Sequence, residues 1–425
     1  MQFIDFFAGI GGFRKGMELA GHKCVGFCEF DKFATASYIS MHLLTQKQRE
    51  SLEKVPLKKR QKEILKEEYR NGEWYANDIR RVYARDIPRA DCWCFGFPCQ
   101  DISVAGKQIG FQGNRSSLFF RVMYLIGQLE EENKPTYLFV ENVKNLLNVN
   151  GGWDFARLLA EMDREGYDAE WQVLNSKDFG VPQNRERCFI IGHLRGRSTA
   201  KVFPVEGTDG ENSVQIVGHK DGYRRNTQAF APEALDTGQG GERGHHVTLP
   251  CFIDLCYEGS QMTEQARCLK ARYYKGMANH AGQDSGIAIP VLTPDRAEKR
   301  QNGRRFKDDG EPMFTLTGQD RHGIAIEVKE ATAKTLDTSC NQGIFVQVSD
   351  ELIVYAVWYE KLQCYIAIRK LTPKECFRLQ GWADDYFEKA AFVNSDSQLY
   401  KQAGNGVTVN VIFDIAKKLK ESVKD

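Results

Sequence analysis

From residue 1 to 195, short unbroken apolar runs alternate with apolar stripes at helical spacing. Phe3-Ile4-Asp5-Phe6-Phe7, Cys24-Val25-Gly26-Phe27-Cys28, Cys92-Trp93-Cys94-Phe95, Tyr137-Leu138-Phe139-Val140 and Cys188-Phe189-Ile190-Ile191 predict buried strands. Phe119, Val122, Met123, Ile126 and Leu129 predict one helix, with Ser116 or Ser117 as its cap. Phe155, Leu158, Leu159 and Met162 predict another, closed by Gly166. Strands alternating with helices require a mainly parallel α/β sheet. Residues 46–70 carry Lys58-Lys59-Arg60 and Glu67-Glu68 and read as a solvated helical insertion.

The texture changes over 196–368, where glycine, threonine and short β-like pieces replace the stripes. Ala234-Leu235-Asp236-Thr237-Gly238, Cys268-Leu269-Lys270-Ala271, Phe314-Thr315-Leu316-Thr317-Gly318 and Lys334-Thr335-Leu336-Asp337-Thr338 echo one another. Gly-Ile pairs follow the last three, at 286–287, 323–324 and 343–344. The irregular spacing of Leu235, Leu269, Leu316 and Leu336 argues against a solenoid and for one β-rich second domain. Regular patterning resumes near Arg369. Thr372-Pro373-Lys374-Glu375 has the form of a capping box, and that helix should end near Gly381. Ile412, Ile415, Ala416 and Leu419 mark a last amphipathic helix after the loop Gly404-Asn405-Gly406. Three parts result: 1–195, 196–368 and 369–425.

Composition narrows little. The 425 residues leave room for two or three domains, and 42% hydrophobic with 27% charged content is that of an ordinary globular chain. No apolar run approaches the roughly 18 residues of a membrane helix, and the start lacks a signal-peptide pattern. Twelve cysteines without framework spacing suggest reduced thiols in a cytoplasm. Cys92, Cys94, Cys24 and Cys28 lack the partners of a metal site, so no metal is expected. A net charge of +1 leaves nucleic acid open.

Local chemistry decides more. Phe7-Ala8-Gly9-Ile10-Gly11-Gly12 follows a strand and opens a helix, so Gly9, Gly11 and Gly12 let a ligand approach the backbone. A dinucleotide fingerprint needs glycine at position 14, which is Arg14. Glu29 ends the next strand, where a carboxylate grips ribose hydroxyls, and Asp78 can accept from an adenine amino group. Cys99 follows Gly96-Phe97-Pro98 at a strand's carboxyl end, a position that presents a thiol rather than packing it. Residues 100–113 read as a loop able to close over a substrate. Glu141 ends the strand at Tyr137–Val140, where burial would raise its pKa. If 183–187 are extended, Gln183, Arg185 and Arg187 share a face, and two arginines suit a carbonyl oxygen and a phosphate.

These residues resemble the DNA cytosine-5 methyltransferases of bacterial or phage restriction-modification type. The resemblance covers Asp5–Gly12, Glu29, Asp78-Ile79, Gly96–Ser103, Phe139–Val143, Gln183–Arg187, Arg369–Gly381 and Gln402–Val409, in the family's order. It implies a Rossmann-like α/β fold with a mixed seven-stranded sheet, and a smaller β-rich target recognition domain at 196–368. It implies S-adenosylmethionine as cofactor. Phe7 would stack near the adenine, Glu29 would hold the ribose and Asp78 the amino group. Phe30, Ile79, Leu118, Asn405 and Val407 would complete the pocket. Cys99 would attack carbon 6 of a flipped cytosine, with Glu141 at ring nitrogen 3 and Arg187 at the carbonyl oxygen. Arg185 would position the Cys99 loop or a phosphate. Pro98, Gln100, Ser103 and Gln183 would meet the substrate. The partner implied is double-stranded DNA, handled by a monomer in the cytoplasm at the nucleoid; a cognate restriction endonuclease often accompanies such enzymes.

Three rivals stand beside this reading. A transfer-RNA branch shares the motifs, but its usual Cys-Phe-Thr element is absent here. A silent DNA-binding regulator of the same fold would lack the cysteine or the arginines. A nicotinamide-dependent dehydrogenase is disfavoured by Arg14. The repeated Thr-Leu elements suggest either several specificity modules, as in some phage enzymes, or repetition within one module, the latter preferred.

Overall fold

The computed structural model describes residues 1–97, 118–197, 199–207 and 372–421. Between these it describes 234–236, 246–248, 252–255, 261–263, 266–268, 284–288, 290–292, 322–324, 343–349, 352–359 and 364–370. Pro98, Cys99, Gln100 and Ser103, the closing loop, the Ser116/Ser117 cap, and the echoes at 314–318 and 334–338 lie outside the described residues.

The first unit comprises Met1–Val181, Arg185–Gly210 and Phe377–Asp425. Its sheet contains β1 (Gln2–Phe6), β2 (Lys23–Cys28), β3 (Trp74–Ala76), β4 (Cys92–Gly96), β5 (Tyr137–Val143), β6 (Tyr167–Asn175) and β8 (Glu186–Leu194). The order is β3-β2-β1-β4-β5-β8-β6. The first five run parallel, and β8 lies antiparallel to β5 and β6. This is the mixed seven-stranded sheet that the resemblance implies. The central strands are apolar because both faces are covered. On one face α5 (Leu118–Gly127) and α6 (Trp153–Arg164) pack against Ile4, Phe6, Trp93, Phe95, Leu138 and Val140. On the other, α1 (Gly12–Leu19) and the final helix α10 (Val409–Glu421) cover Phe3, Cys92, Cys94 and Phe139. A Cβ at Gly16 would come within 2.6 Å of Ile412, so the α1–α10 crossing needs glycine there.

The charged insertion is only partly as read. It forms α3 (Gln46–Glu53), closed at its start by a Thr45–Gln48 capping box, and α4 (Leu57–Glu63). Lys58 and Lys59 are exposed, but Arg60 turns inward. Its guanidinium donates to the carbonyls of Leu52, Val55 and Phe392 and lies 3.9 Å from the Phe392 ring centroid. Gln61 donates to Val393 O and Asn394 Oδ1. The insertion is thereby fastened to the segment between α8 (Asp384–Ala391) and α9 (Asp396–Asn405). Neither helix was legible as a separate element. α7 (Pro373–Arg378) starts at the capping box, where Thr372 N and Glu375 Oε2 are 2.7 Å apart.

Residues 199–207 belong with the first unit, although the change of texture placed its end at 195. Glu170 on the edge strand β6 accepts from Val202 N and Phe203 N, and Gln172 exchanges two bonds with Val205. The second unit holds 182–184 and 211–376. In it β7 (Gln183–Asn184) pairs in parallel with Ala266–Arg267. Strands 343–349, 352–359 and 364–370 form an antiparallel succession. The three Gly-Ile pairs all fall in strands; those at 286–287 and 323–324 both pair with 364–370.

The glycine turn after β1 is braced from α2 (Lys32–His42). His42 Nε2 lies 3.0 Å from Ile10 O, and its ring sits among Tyr38, Trp382 and Tyr386. Gly11 has φ 86° and no room for a Cβ beside that ring. Burial holds the His42 pKa well below its ordinary 6.5, and Arg14, Lys15 and Lys389 push the same way. The folded protein therefore keeps His42 neutral, donating to Ile10.

Two outcomes are expected. Arg60→Ala should speed limited proteolysis within 46–70 while leaving cleavage elsewhere unchanged. A group whose folded pKa is depressed in this way stabilises a neutral-histidine fold above its unfolded pKa and loses that contribution as pH falls. Wild-type stability should thus decline relative to His42→Gln below about pH 6.5, by at most about 1.4 kcal/mol per pH unit. Denaturant midpoints of both proteins across pH 5 to 8 check this.

Candidate active site

The carboxyl ends of β1, β2, β3, β4 and β5 open into one cavity of about 610 Å³. Ligands bind at this end of an open α/β sheet. Phe7, Gly9, Glu29, Phe30, Asp78, Ile79, Leu118, Glu141, Asn405, Arg185 and Arg187 all line it. Gly11, Gly12 and Val407 do not reach its wall. Gly12 packs against Val407 instead, where a Cβ would strike Val407 Cγ2 at 2.6 Å.

Phe7, Glu29, Phe30 and Asp78 make up one part of the wall. Phe7 adopts φ 54°, a left-handed conformation uncommon for a side-chain-bearing residue. Glu29 Oε2 accepts from Gly9 N at 2.8 Å and its Oε1 from Asp31 N at 2.6 Å. Those bonds fix the carboxylate on the wall, while burial raises its pKa above the ordinary value. Asp31 caps α2 and pairs with Lys401 at 2.5 Å. Asp78 caps the turn Ile79–Arg81 and pairs with Arg80, which lowers its pKa.

Another part of the wall holds the charged pair. Arg187 Nε lies 3.1 Å from Glu141 Oε1. Burial pushes the Glu141 pKa up, and Arg187 and Arg185 pull it partly back. A Cβ on Gly96 would sit 2.9 Å from Glu141 Oε2, so the end of β4 leaves space for that carboxyl group. Asn142, which follows it, donates to Phe97 O at 3.0 Å. Phe97, just past β4, is thereby tied to the strand that carries Glu141.

Arg185 and Arg187 both line the cavity and both act on Glu141, whereas Gln183 is not among the lining residues. Gln183 is buried and belongs to a strand of the second unit. Arg185 is 3% exposed and donates to Gly406 O at 2.7 Å and Gly404 O at 3.3 Å. It shapes the backbone that carries Asn405. The motif reading missed Arg80, Asn142, Asp31 and Lys401. Asn142 and the cap Asp31 had local signals, beside Glu141 and before an apolar helix; Lys401 had none. Among the described residues no cluster of three His, Cys, Asp or Glu side chains suits a metal ion. No helix among them is long and apolar enough to cross a membrane.

The model for C-5 cytosine-specific DNA methylases matches residues 1–65 and 42–421. The orphan methyltransferase M.SPRI of Bacillus phage SPR is 28% identical over 490 residues, covering 99% of this chain and 97% of that protein. The type II methyltransferase M.HhaI of Haemophilus parahaemolyticus is 28% identical over 426 residues, covering 100% and 95%. In fold, the Entamoeba histolytica methyltransferase EhMeth agrees with a TM-score of 0.54 at 15% identity, covering 100% and 99%.

The family's methyl donor is S-adenosylmethionine, and the cavity suits it: apolar walls at Phe7, Phe30, Ile79 and Leu118, with carboxylates at Glu29 and Asp78. The chain belongs to the C-5 cytosine-specific DNA methylase family and is an S-adenosylmethionine-dependent DNA cytosine-5 methyltransferase.

Proposed function

We propose that the protein methylates carbon 5 of a cytosine within a specific duplex DNA sequence through a covalent Cys99 intermediate. The observation that carries this reading is the Glu141–Arg187 pair at 3.1 Å, on the wall of the cavity that holds Glu29 and Asp78. A carboxyl group and a guanidinium side by side match the N3/N4 edge and carbonyl oxygen of cytosine. Such a base cannot reach a walled cavity from within a duplex, so it enters flipped.

Carbon 5 of cytosine is a poor nucleophile until a thiolate adds at carbon 6. Cys99 makes that bond, and the electrons pass to carbon 5. Glu141, with its raised pKa, gives a proton to ring nitrogen 3 and relieves the charge. Arg187 holds the carbonyl oxygen at carbon 2. Phe7, Glu29, Phe30, Asp78, Ile79, Leu118 and Asn405 would hold S-adenosylmethionine, which would supply an electrophilic methyl group for carbon 5 and leave as S-adenosylhomocysteine. Loss of the carbon-5 proton to water returns electrons toward carbon 6 and expels the Cys99 thiolate, while ring nitrogen 3 gives its proton back to Glu141. Arg185 is assigned the Gly404–Gly406 backbone rather than a phosphate, and acts by shaping the cofactor wall. The region 196–368 is assigned target recognition, with Gln183 as its outlying member.

Cys99→Ala should abolish methyl transfer to duplex DNA in a radiolabelled-methyl assay and abolish the denaturation-resistant complex with 5-fluorocytosine DNA. Undiminished transfer by that variant would sink the mechanism. Transfer to transfer RNA in preference to duplex DNA would move the enzyme to the rival branch.

A further inference from the structure

Arg80 lines the cavity, although no motif singled it out. Its backbone N–H and Nε both donate to Asp78 Oδ1, at 3.1 and 2.9 Å, and its Nη2 donates to Oδ2 at 2.8 Å. The guanidinium carbon also stands 5.6 Å from the centroid of the Phe30 ring. That ring is 72% exposed at the cavity wall. The turn carrying Arg80 is itself held firmly. Ile79 is buried, and Arg121 on α5 donates to Ile79 O at 3.3 Å and Val82 O at 2.7 Å.

A carboxylate offers about four acceptor positions. Arg80 takes two on Oδ1 and one on Oδ2, which leaves one position on Oδ2 with its direction set. A fork-to-carboxylate pair also keeps Asp78 an acceptor only. Adenine presents an amino donor and a ring-nitrogen acceptor on that edge. Hypoxanthine presents a carbonyl oxygen and a ring N–H instead. A fixed, acceptor-only Asp78 therefore rejects the second base, whereas a carboxyl group free to turn discriminates less. The guanidinium plane near Phe30 adds a roof suited to a flat aromatic base.

We propose that Arg80 is a positioning residue that sets the base selectivity of the cofactor pocket. It orients Asp78 toward the adenine amino group and, with Phe30, closes on the base. The proposal rests on the reading of Asp78 as the adenine acceptor.

Calorimetric titration of the full-length protein with S-adenosylhomocysteine and S-inosylhomocysteine tests it. Wild-type protein should prefer the adenosyl ligand. Arg80→Ala should weaken the adenosyl ligand roughly tenfold, the scale of a lost charge-assisted pair, and weaken the inosyl ligand less, so that the ratio narrows. Arg80→Lys, which keeps charge without the fork, should fall between them. The melting temperature of the unliganded variants should match wild type, which separates positioning from a folding defect. Equal weakening of both ligands, or unchanged affinity, overturns the proposal. Wild-type protein that fails to bind S-adenosylhomocysteine overturns the pocket assignment beneath it as well; wild-type binding with an unaltered ratio in Arg80→Ala overturns the Arg80 assignment alone.

Discussion

A sheet whose central strands are apolar on both faces must be covered on both, and one cover here comes from the end of the chain. α10 lies on α1 and the face carrying Phe3 and Phe139, with Gly16 allowing the close approach to Ile412. Burial of that face supplies the driving force, since each fully buried aliphatic or aromatic side chain is worth about 2 kcal/mol. The site depends on this closure. Once α10 is seated, the preceding Gly404–Gly406 backbone lies where Arg185 binds its carbonyls, and Asn405 becomes part of the cavity wall. The two chain termini thus complete one pocket because hydrophobic coverage requires them to meet.

The same logic explains the cross-links around the glycine turn. Such a turn gives up side chains to let a ligand approach, and so loses packing of its own. Stiffness is restored from outside. His42 bonds Ile10 O, and Glu29 bonds Gly9 N. Arg14, where a dinucleotide fingerprint would have glycine, joins Glu18, Tyr38 and Glu73 instead. Arg14 therefore does two things: it departs from the phosphate-binding pattern, and it ties α1 to the residue just beyond the insertion. Glu73 itself carried no local signal, because its partner lies 59 residues away.

Legibility followed the range of the interactions. Five strands of the sheet, β1, β2, β4, β5 and β8, and the α5, α6 and α10 stripes were readable, since periodicity is local and the faces they bury are decided by it, whereas the short β3 and the polar edge strand β6 were not. Glu29 and Glu141 were readable because an apolar run leads into each, although β5 continues past Glu141 to Val143; Asp78 lies two residues beyond the short β3, which no apolar run announced. The unread parts depend on distant partners. Arg60 looked like one more charge in a solvated run, yet its acceptors include Phe392 O. Arg185 looked like half of an extended arginine pair, yet it is buried against carbonyls more than two hundred residues on. α8 and α9 were hidden because their apolar positions are shared among α2, the insertion and each other, which leaves no clean stripe.

Electrostatics distinguishes this cavity from a merely well-packed hollow. Asp5, Glu29 and Glu141 all have pKa values pushed above the ordinary carboxylate range, and in each case burial is the largest cause. Asp5 is fully buried, and its Oδ1 finds no hydrogen-bond partner. Burying such groups is costly, and apolar replacements of similar volume are often neutral or stabilising. Selection for stability alone therefore gives no reason to gather them beneath one set of strand ends. Their environments also differ in kind. Glu29 is bonded by backbone N–H groups, which suits a fixed acceptor. Glu141 faces two arginines, whose charges allow its ionised form despite burial. Asp78 is bound by an arginine nearer the surface and is held well ionised. Three carboxylates that line one cavity thereby sit in three different electrostatic environments, the pattern of a functional site rather than of a packed core.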